Sequence, residues 1–478
     1  MKGKNISYDY VVVGGGPAGM FFAYQVIKNA PEKSVLIIER GKAVEKRRCP
    51  AVEVGKCLKC KYCNITNGSS GAGAFSDGKF SKYNPKHKTI WVGGNVHEHI
   101  GVPKTQELID YVDQIYLDFG ATTELEGVGN EEIIDEIRKV AEKVNLHLVD
   151  IPIRHIGTDR AHVLFKKFED YLKEHGVTTL FETEVLDLIV EDNVAKGVIY
   201  SEISNEEKVE VLADKVILAV GRSGSSWLEE MCKEHDIACK PSPVDIGVRY
   251  ELPNSVMEEL NKYLYEAKLI GESKNGNKVR TFCQNPGGTV SAEAYRDEYG
   301  NHFALVNGHS KKDEKTVNTN LALLATINFE GAKKPMEIAR KMAVTLNTVT
   351  DGQVMVQRLA DIKAGKATTE EGLANNSVEA TLKSAVPGDF ALYAPSKILA
   401  DILEFIDAVN VIAPGFADGD NLVYGYEIKF AGNQVILNDK FESSVENLII
   451  IGDGGKLSRG LQGACISGVH AADELCGK

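Results

Sequence analysis

An α/β fold, with its main sheet assembled from separated stretches and an α+β domain between them, follows from three observations. A short apolar strand, a glycine-rich turn and a helix open the chain at 8–30, and a second apolar strand follows at 35–39. Short apolar strands ending in glycine recur at 215–221 and at 447–452, near the other end of the chain. The stretch between them, 241–439, mixes strands and helices without a second glycine turn of this kind. Short β-branched runs bounded by glycine read as buried strands, and alternation with helices at 3.6-residue spacing reads as βαβ.

The elements follow in order. Residues 8–13 are a buried strand, and Met20 to Ala30 carries apolar residues at helical spacing, among them Ala23, Val26 and Ile27. Residues 40–88 are rich in Gly, Cys, Lys and Ser and read as an elaborated loop. Amphipathic helices are expected at 104–119 and 130–144, as a helical insertion over 101–150. A helix at 161–175 and a strand at 178–182 come next, then a meander at 185–200 and 209–212, and a strand at 215–220. Pro241-Ser242-Pro243 reads as a linker. In 241–439 strands are expected at 247–251, 302–307 and 321–328, with helices at 335–347 and 397–408. A strand at 447–452 and a helix at 460–475 close the chain. The expected division is thus 1–240 with 440–478, and 241–439 as a substrate or cap domain.

Gly14-x-Gly16-x-x-Gly19 stands between strand and helix, and Glu39 follows twenty residues after Gly19. Gly14 permits the turn, Gly16 admits a pyrophosphate close to the backbone, and Gly19 lets helix and strand pack. Pro17 and Ala18 open the helix, whose free N–H groups face the phosphates. Glu39 is placed to accept ribose hydroxyls, with Arg40 beside it. The domain is therefore read as a Rossmann-type dinucleotide domain. Ser69 to Lys79 offers many backbone N–H groups and little side-chain bulk, so Gly73, Ala74, Ser76, Asp77, Gly78 and Lys79 are candidate cofactor contacts.

Two distant segments point to FAD rather than NAD alone. The strand at 447–452 ends in Gly452-Asp453 and leads to a helix containing Gly463 and Ala464. In flavoproteins of the glutathione-reductase type such an aspartate holds the ribityl chain and the helix faces the flavin. The segment 216–224, with Gly221, and Val185 in the meander resemble the parts that close over the cofactor there. More narrowly, the chain resembles a poorly characterised FAD-dependent dehydrogenase family of bacteria and archaea. The matching residues are Cys49-Pro50, Cys60-x-x-Cys63-Asn64-Ile65, the loop from Gly71 to Lys79, Gly157-Thr158-Asp159, Ile246 to Arg249, Pro286-Gly287-Gly288, Asn307-Gly308 and Gly452-Asp453. The resemblance implies FAD, a redox role and a discontinuous, GR2-like binding domain; it implies no substrate. Two departures stand out. Cys283-Gln284-Asn285-Pro286 replaces a Cys-x-Cys-Pro motif, which puts a dithiol at Cys283 in doubt, and His309 stands where the family tends to have Met.

Cys49, Cys57, Cys60 and Cys63 are four of the nine cysteines. Their spacing suits an iron–sulfur cluster or zinc, or a redox dithiol, or structural thiols in a loop. Eight Lys or Arg against two acids lie between Arg40 and Cys63, a setting that favours thiolates and the docking of an acidic electron carrier. In the second domain Arg249 is a candidate anchor for a substrate carboxylate, and His309 or Tyr424 a candidate proton donor; Glu427 and His155 are further candidates.

The net charge is -13, which disfavours nucleic acid as a partner. No apolar run is long enough to span a bilayer and the first residues show no signal-peptide pattern, so a cytoplasmic protein without a membrane partner is expected. The reading is an FAD-dependent oxidoreductase passing a hydride between flavin and a small organic substrate, with reduction of an activated C=C bond favoured and NAD(P)H or a ferredoxin-like protein as donor. An electron-transfer flavoprotein with a cluster or dithiol, and a flavin-dependent monooxygenase, are the alternatives.

Overall fold

The structure, a computed structural model, describes residues 6–50, 60, 62–75, 78–84, 86, 90–156, 158–205, 207–264, 266–296, 302–309, 315–332, 334–429 and 433–477. The chain divides into two compact units: Met1–Glu126 with Ile151–Lys240 and Ala431–Lys478, and Gly127–Asp150 with Pro241–Phe430.

In the first unit, Thr178–Leu180, Val35–Ile38, Ile6–Val13 and Val209–Leu218 lie side by side and parallel, with Leu448–Ile450 parallel to the end of Val209–Leu218. Thr183–Glu191 and Val194–Glu202 extend the sheet as an antiparallel meander. Alternate residues feed two cores, as the two-residue period of a strand requires. Val12, Ile37, Ile217 and Ile449 pack on one face with Phe21, Phe22 and Val26 of the first helix (Pro17–Asn29) and with Ile466 and Val469 of the closing helix (Leu461–Cys476). Val11, Val13, Leu36, Ile38, Val216 and Leu218 pack on the other. Each fully buried side chain of this kind contributes about 1.5–3 kcal/mol.

The sequence reads 209–212 and 215–220 as two strands; the structure joins them in one, Val209–Leu218. Its start, 209–212, pairs with the meander, its end, 216–218, with Leu448–Ile450, and Ile6–Val13 runs parallel beside 211–218. Ala213 stays in register with Tyr8, which keeps the junction extended. The first and closing helices pack so closely that a Cβ at Gly468 would overlap the Ala18 carbonyl oxygen.

The second unit is built on an eight-stranded sheet in which Val244–Pro253, Asn318–Ile327 and Leu422–Lys429 are central. One face is apolar: Ile246, Val248, Tyr250, Leu252, Leu321 and Leu323 form a core with Ile402, Phe405 and Ile406 of the helix Ser396–Ile412 and with Ala339, Ala343 and Leu346 of Pro335–Val349. The other carries buried polar residues, among them Asp245, Arg249, Glu251, Asn320 and Glu427. The stretch 127–150, expected as part of a helical insertion in the domain of the glycine turn, lies in this unit instead. Its strand Leu146–Val149 adds to the sheet edge by pairing with Lys268–Glu272, and Arg138 and Asp150 form an ion pair. Residues 433–439, expected at the end of the second domain, lie in the first unit, where Gln434–Val435 pairs with Cys239–Lys240. Among the described residues, no helix is long and apolar enough to cross a membrane.

Candidate functional site

Three separated segments of the first unit meet at the glycine turn. Gly14 has φ 108°, a backbone that β-carbon-bearing residues rarely adopt, and a Cβ there would overlap the Ala219 carbonyl oxygen. A Cβ at Gly19 would overlap the Gly14 carbonyl oxygen and approach Val12 Cγ1 at 3.0 Å. Gly16 differs: its φ is -75° and nothing lies within 4 Å of where its Cβ would stand. The protein itself does not require glycine at 16, and the space beside it is open to a group approaching the turn from outside.

The loop over residues 69–75 folds onto this turn. Ser70 N donates to the Gly15 carbonyl at 2.7 Å. A Cβ at Gly71 would come within 3.3 Å of Pro17, and one at Gly73 within 2.9 Å of Leu461 and 3.4 Å of Pro17. The third segment arrives beside Ala18, 3.0 Å from a Cβ placed on Gly452. Both helices that begin here, at Pro17 and at Leu461, follow glycine N-caps without a side-chain cap and have no acid in the first turn. Their first N–H groups are thus open to an acceptor, the arrangement that binds phosphates and other anions.

Asp453 Oδ1 accepts the Ser458 hydroxyl at 2.7 Å and the Gly460 N–H at 3.4 Å, and Arg222 Nε stands 3.5 Å from Oδ2. Burial holds its carboxyl above the usual range, against the pull of Arg222. Gln462, in the first turn of the closing helix, is 3% exposed, yet neither its amide nitrogen nor its oxygen has a partner among the described residues. An orphaned buried amide costs about 1–3 kcal/mol, so a polar group held against this helix end would meet a standing demand. Sequence reasoning singled out Gly463 and Ala464 and missed Gln462. A Cβ at Gly463 would come within 2.5 Å of the Val92 carbonyl, where Gly93-Gly94 pack on Ser458 and Arg459; that glycine pair was missed too. The uncapped helix ends, the open face of Gly16 and the Gln462 amide fit a dinucleotide bearing a polar ring.

Glu39 is more than a ribose acceptor. Its Oε2 accepts Gly15 N at 2.7 Å, and its Oε1 accepts Gly41 N at 2.7 Å and Gly68 N at 3.0 Å. It ties three loops together, and a ribose contact falls to the lone pairs that remain. Arg40 donates to Asn67 Oδ1 at 2.5 Å and lies 3.6 Å from Glu184. Arg47, absent from the sequence candidates, is buried with its guanidinium donating to the carbonyls of Asn64, Ile65, Ser69 and Gly71 at 2.5–2.9 Å. Burial lowers its pKa to about 10, still well above neutrality. Only a long, forked, permanently charged side chain can staple four carbonyls at once.

The other candidates in this unit scatter. Gly78 accepts from Ile156 N at 3.0 Å, and Lys79 pairs with His155 across two short strands. Val185 is buried with the apolar residues of the meander, and Gly221 has φ 60° beside open space. Ala74 is buried in the core. Ser76, Asp77 and Cys57 lie outside the described residues. Cys49, Cys60 and Cys63 are free thiols and do not form a three-ligand group with one another among the described residues.

In the second unit Arg249 is 0% exposed. Its Nε donates to Asn320 at 2.8 Å, one terminal nitrogen lies 3.2 Å from Glu427, and the other donates to the Cys283 carbonyl at 2.8 Å. Its charge is met by Glu427, so the expectation of an anchor for substrate carboxylate gives way to a buried internal pair. Tyr424 donates to Glu251 at 2.5 Å; burial and that carboxylate push its pKa far up. Its hydroxyl is committed to that carboxylate inside the unit. His309 is exposed at the end of the strand His302–His309, next to Gly308, whose Cα packs against Arg249 and Asn320.

Residues 243–429 match the model of the C-terminal domain of FAD-dependent proteins, and residues 135–242 match an FAD-binding-domain model. These matches mark the chain as an FAD-dependent protein. Neither model singles out the glutathione-reductase type, and the FAD-binding match begins after the glycine turn. A relative, an uncharacterized protein of Clostridium beijerinckii, is 24% identical over 494 residues, covering 98% of this chain and 80% of that protein. Among solved structures, a variant of E. coli quinol fumarate reductase is 12% identical, with a TM-score of 0.43 over 99% of this chain and 70% of that one. A formate oxidase is 12% identical, with a TM-score of 0.45 over 98% of each chain. Likenesses at this level assign no substrate or reaction to this chain.

Proposed function

We propose that this chain is an oxidoreductase that holds FAD on its first unit, in a Rossmann-type site made by the Gly14–Gly19 turn, the 69–75 loop and the segment from Gly452 to Ala464, and acts on a small organic substrate. Bound there, FAD supplies two-electron chemistry as a hydride donor and acceptor. The observation that carries the reading is the convergence of two uncapped helix N-termini on a turn whose central glycine, Gly16, faces open space.

The residues divide the work. Main-chain N–H groups after Gly16 take the diphosphate, and Glu39 with Arg47 keeps the surrounding loops in place. Asp453, already hydrogen-bonded through one oxygen, offers the other to a ribityl hydroxyl. Gln462 offers an amide N–H and a carbonyl to a polar ring edge. Reduction of an activated C=C bond remains the favoured direction, with NAD(P)H as donor, because the sequence holds one dinucleotide turn and the donor must come and go. His309, exposed at its strand end, is among the described residues the one candidate proton donor of the second unit not engaged in a buried pair.

The test is anaerobic reduction of the FAD-loaded protein, first by NADH and NADPH and then by reduced ferredoxin. Rapid bleaching by a nicotinamide, followed by reoxidation with an enoate or enone, supports the reading. Bleaching by ferredoxin alone favours an electron-transfer role, and hydroxylated product with oxygen favours a monooxygenase.

A further inference from the structure

The outer edge of the first unit's sheet and the helix beside it bring together three side chains that the glycine turn does not use. Thr183–Glu191 pairs with Val194–Glu202, and the register slips between Val185 and Asp187, so that Leu186 is the extra residue of a bulge. A bulge re-aims the side chains around it. The Leu186 carbonyl accepts Trp227 Nε1 of the helix Ser225–Glu234 at 3.2 Å, and Asp187 Oδ1 lies 2.8 Å from His235 Nε2, just beyond the end of that helix. Neighbouring residues of a helix point about 100° apart. The helix ends at Glu234, however, and His235, with φ -111° and ψ 18°, leaves its path. Asp187, Glu234 and His235 each offer one ligand atom, and the three atoms lie within 4.8 Å of one another. We propose that Asp187, Glu234 and His235 bind a zinc ion. This site stands whether or not FAD binds at the glycine turn.

An ion pair between Asp187 and His235 accounts for two of the three groups. It gives no reason for the second carboxylate beside them. Two carboxylates against one imidazole are net negative whatever the protonation of the ring, and the carbonyl end of the helix adds about half an elementary charge of the same sign. A divalent cation relieves that repulsion. The donor set selects among cations: calcium and magnesium take oxygen ligands, whereas an imidazole with two carboxylates suits zinc, with water in the fourth position. Zinc holds such ligands at about 2.0–2.2 Å, which brings the ligand atoms to about 3–3.5 Å from one another. Glu234 is exposed and the other two are half-buried, so side-chain rotation closes the 4.8 Å span while strand and helix stay in place.

The helix Ser225–Glu234 follows the turn at Gly221. Trp227 ties its first turn to the strand, and zinc would tie its end. The ion would therefore staple the helix after Gly221 to the outer strand of the sheet.

The full-length, FAD-loaded protein is stripped of metal with EDTA, dialysed and titrated with zinc chloride in a calorimeter, beside Glu234→Gln and His235→Ala. Circular dichroism and FAD content confirm that each variant is folded; Glu234→Gln, at an exposed position, keeps the test alive should His235→Ala fail to fold. The cysteines at 49–63 are a second place for zinc, so the variants decide. The parent should bind a zinc ion that both variants hold about tenfold or more weakly, since even partners one step removed from a metal cost that much. Zinc should raise the melting temperature of the parent, and raise it less in the variants. Excess calcium or magnesium should leave the zinc affinity unchanged. Zinc bound with equal affinity by the parent and Glu234→Gln overturns the proposal, as does a parent that binds no zinc or one in which calcium displaces it.

Discussion

Two glycines three residues apart should respond to the same substitution in opposite ways. Gly16→Ala adds a methyl group where no protein atom lies within 4 Å, at a φ of -75° that alanine adopts freely. Alanine is a poorer N-cap than glycine but leaves less freedom in the unfolded chain, so stability should change by less than about 1 kcal/mol. The methyl group would occupy the space that the diphosphate needs. Forcing such an overlap costs about 1–3 kcal/mol, which weakens FAD binding roughly 5- to 150-fold. Gly19→Ala instead drives a Cβ into the Gly14 carbonyl oxygen, a main-chain atom that cannot move aside cheaply. It should destabilise the protein by at least about 1–3 kcal/mol even without FAD. The assay pairs urea unfolding of FAD-stripped protein with titration of FAD by flavin fluorescence. A Gly16→Ala protein that binds FAD as tightly as the parent would refute the cradle; one that fails to fold without FAD would refute the claim that the space is open.

The remaining predictions concern the supports of the site and the second unit. Glu39→Ala leaves the amides of Gly15, Gly41 and Gly68 without their acceptor; at about 1–3 kcal/mol for each stranded donor, calorimetry should find a loss of several kcal/mol together with weak FAD retention. Tyr424→Phe removes the bond to Glu251, which keeps its contacts to Thr381 and Asn318, so stability should fall by about 1–2 kcal/mol while the pH profile of turnover is unmoved. A lost limb in that profile would restore Tyr424 as a proton donor. Hydrogen bonds from Lys33 and Ser34 hold Asp9 down to about 2. Since its folded pKa lies below the unfolded one, its contribution is present above about pH 4 and is lost as pH falls toward 2. Asp9→Asn should make the acid melting curve shallower across that window, and an unchanged slope would show that the contact is not formed.

The parts of the site legible in the sequence are those where local geometry dictates the residue. Gly14 and Gly19 are readable because a positive φ and a helix–strand contact exclude any Cβ, and their spacing is fixed by the turn itself. Gly452-Asp453 is readable because a strand must end where the chain turns toward the closing helix. Arg47 carries no such signal. Its four carbonyl partners lie 17 to 24 residues away in a loop without period, and in the sequence it is one more basic residue among eight. Arg249 and Tyr424 misled for the opposite reason. Polar residues in a strand suggest a site, but here they satisfy one another in a buried layer on one face of the sheet. Gly93-Gly94 and the Leu146–Val149 strand depend on partners more than a hundred residues distant, which no local pattern announces.

The most direct test is the visible absorption spectrum of the purified protein, before and after incubation with FAD and removal of the excess. The account predicts a yellow protein with flavin bands and one FAD per chain, in which Gly16→Ala loses most of the colour while keeping its far-ultraviolet circular dichroism. A parent protein that stays colourless after incubation, while folded by the same dichroism, would contradict it.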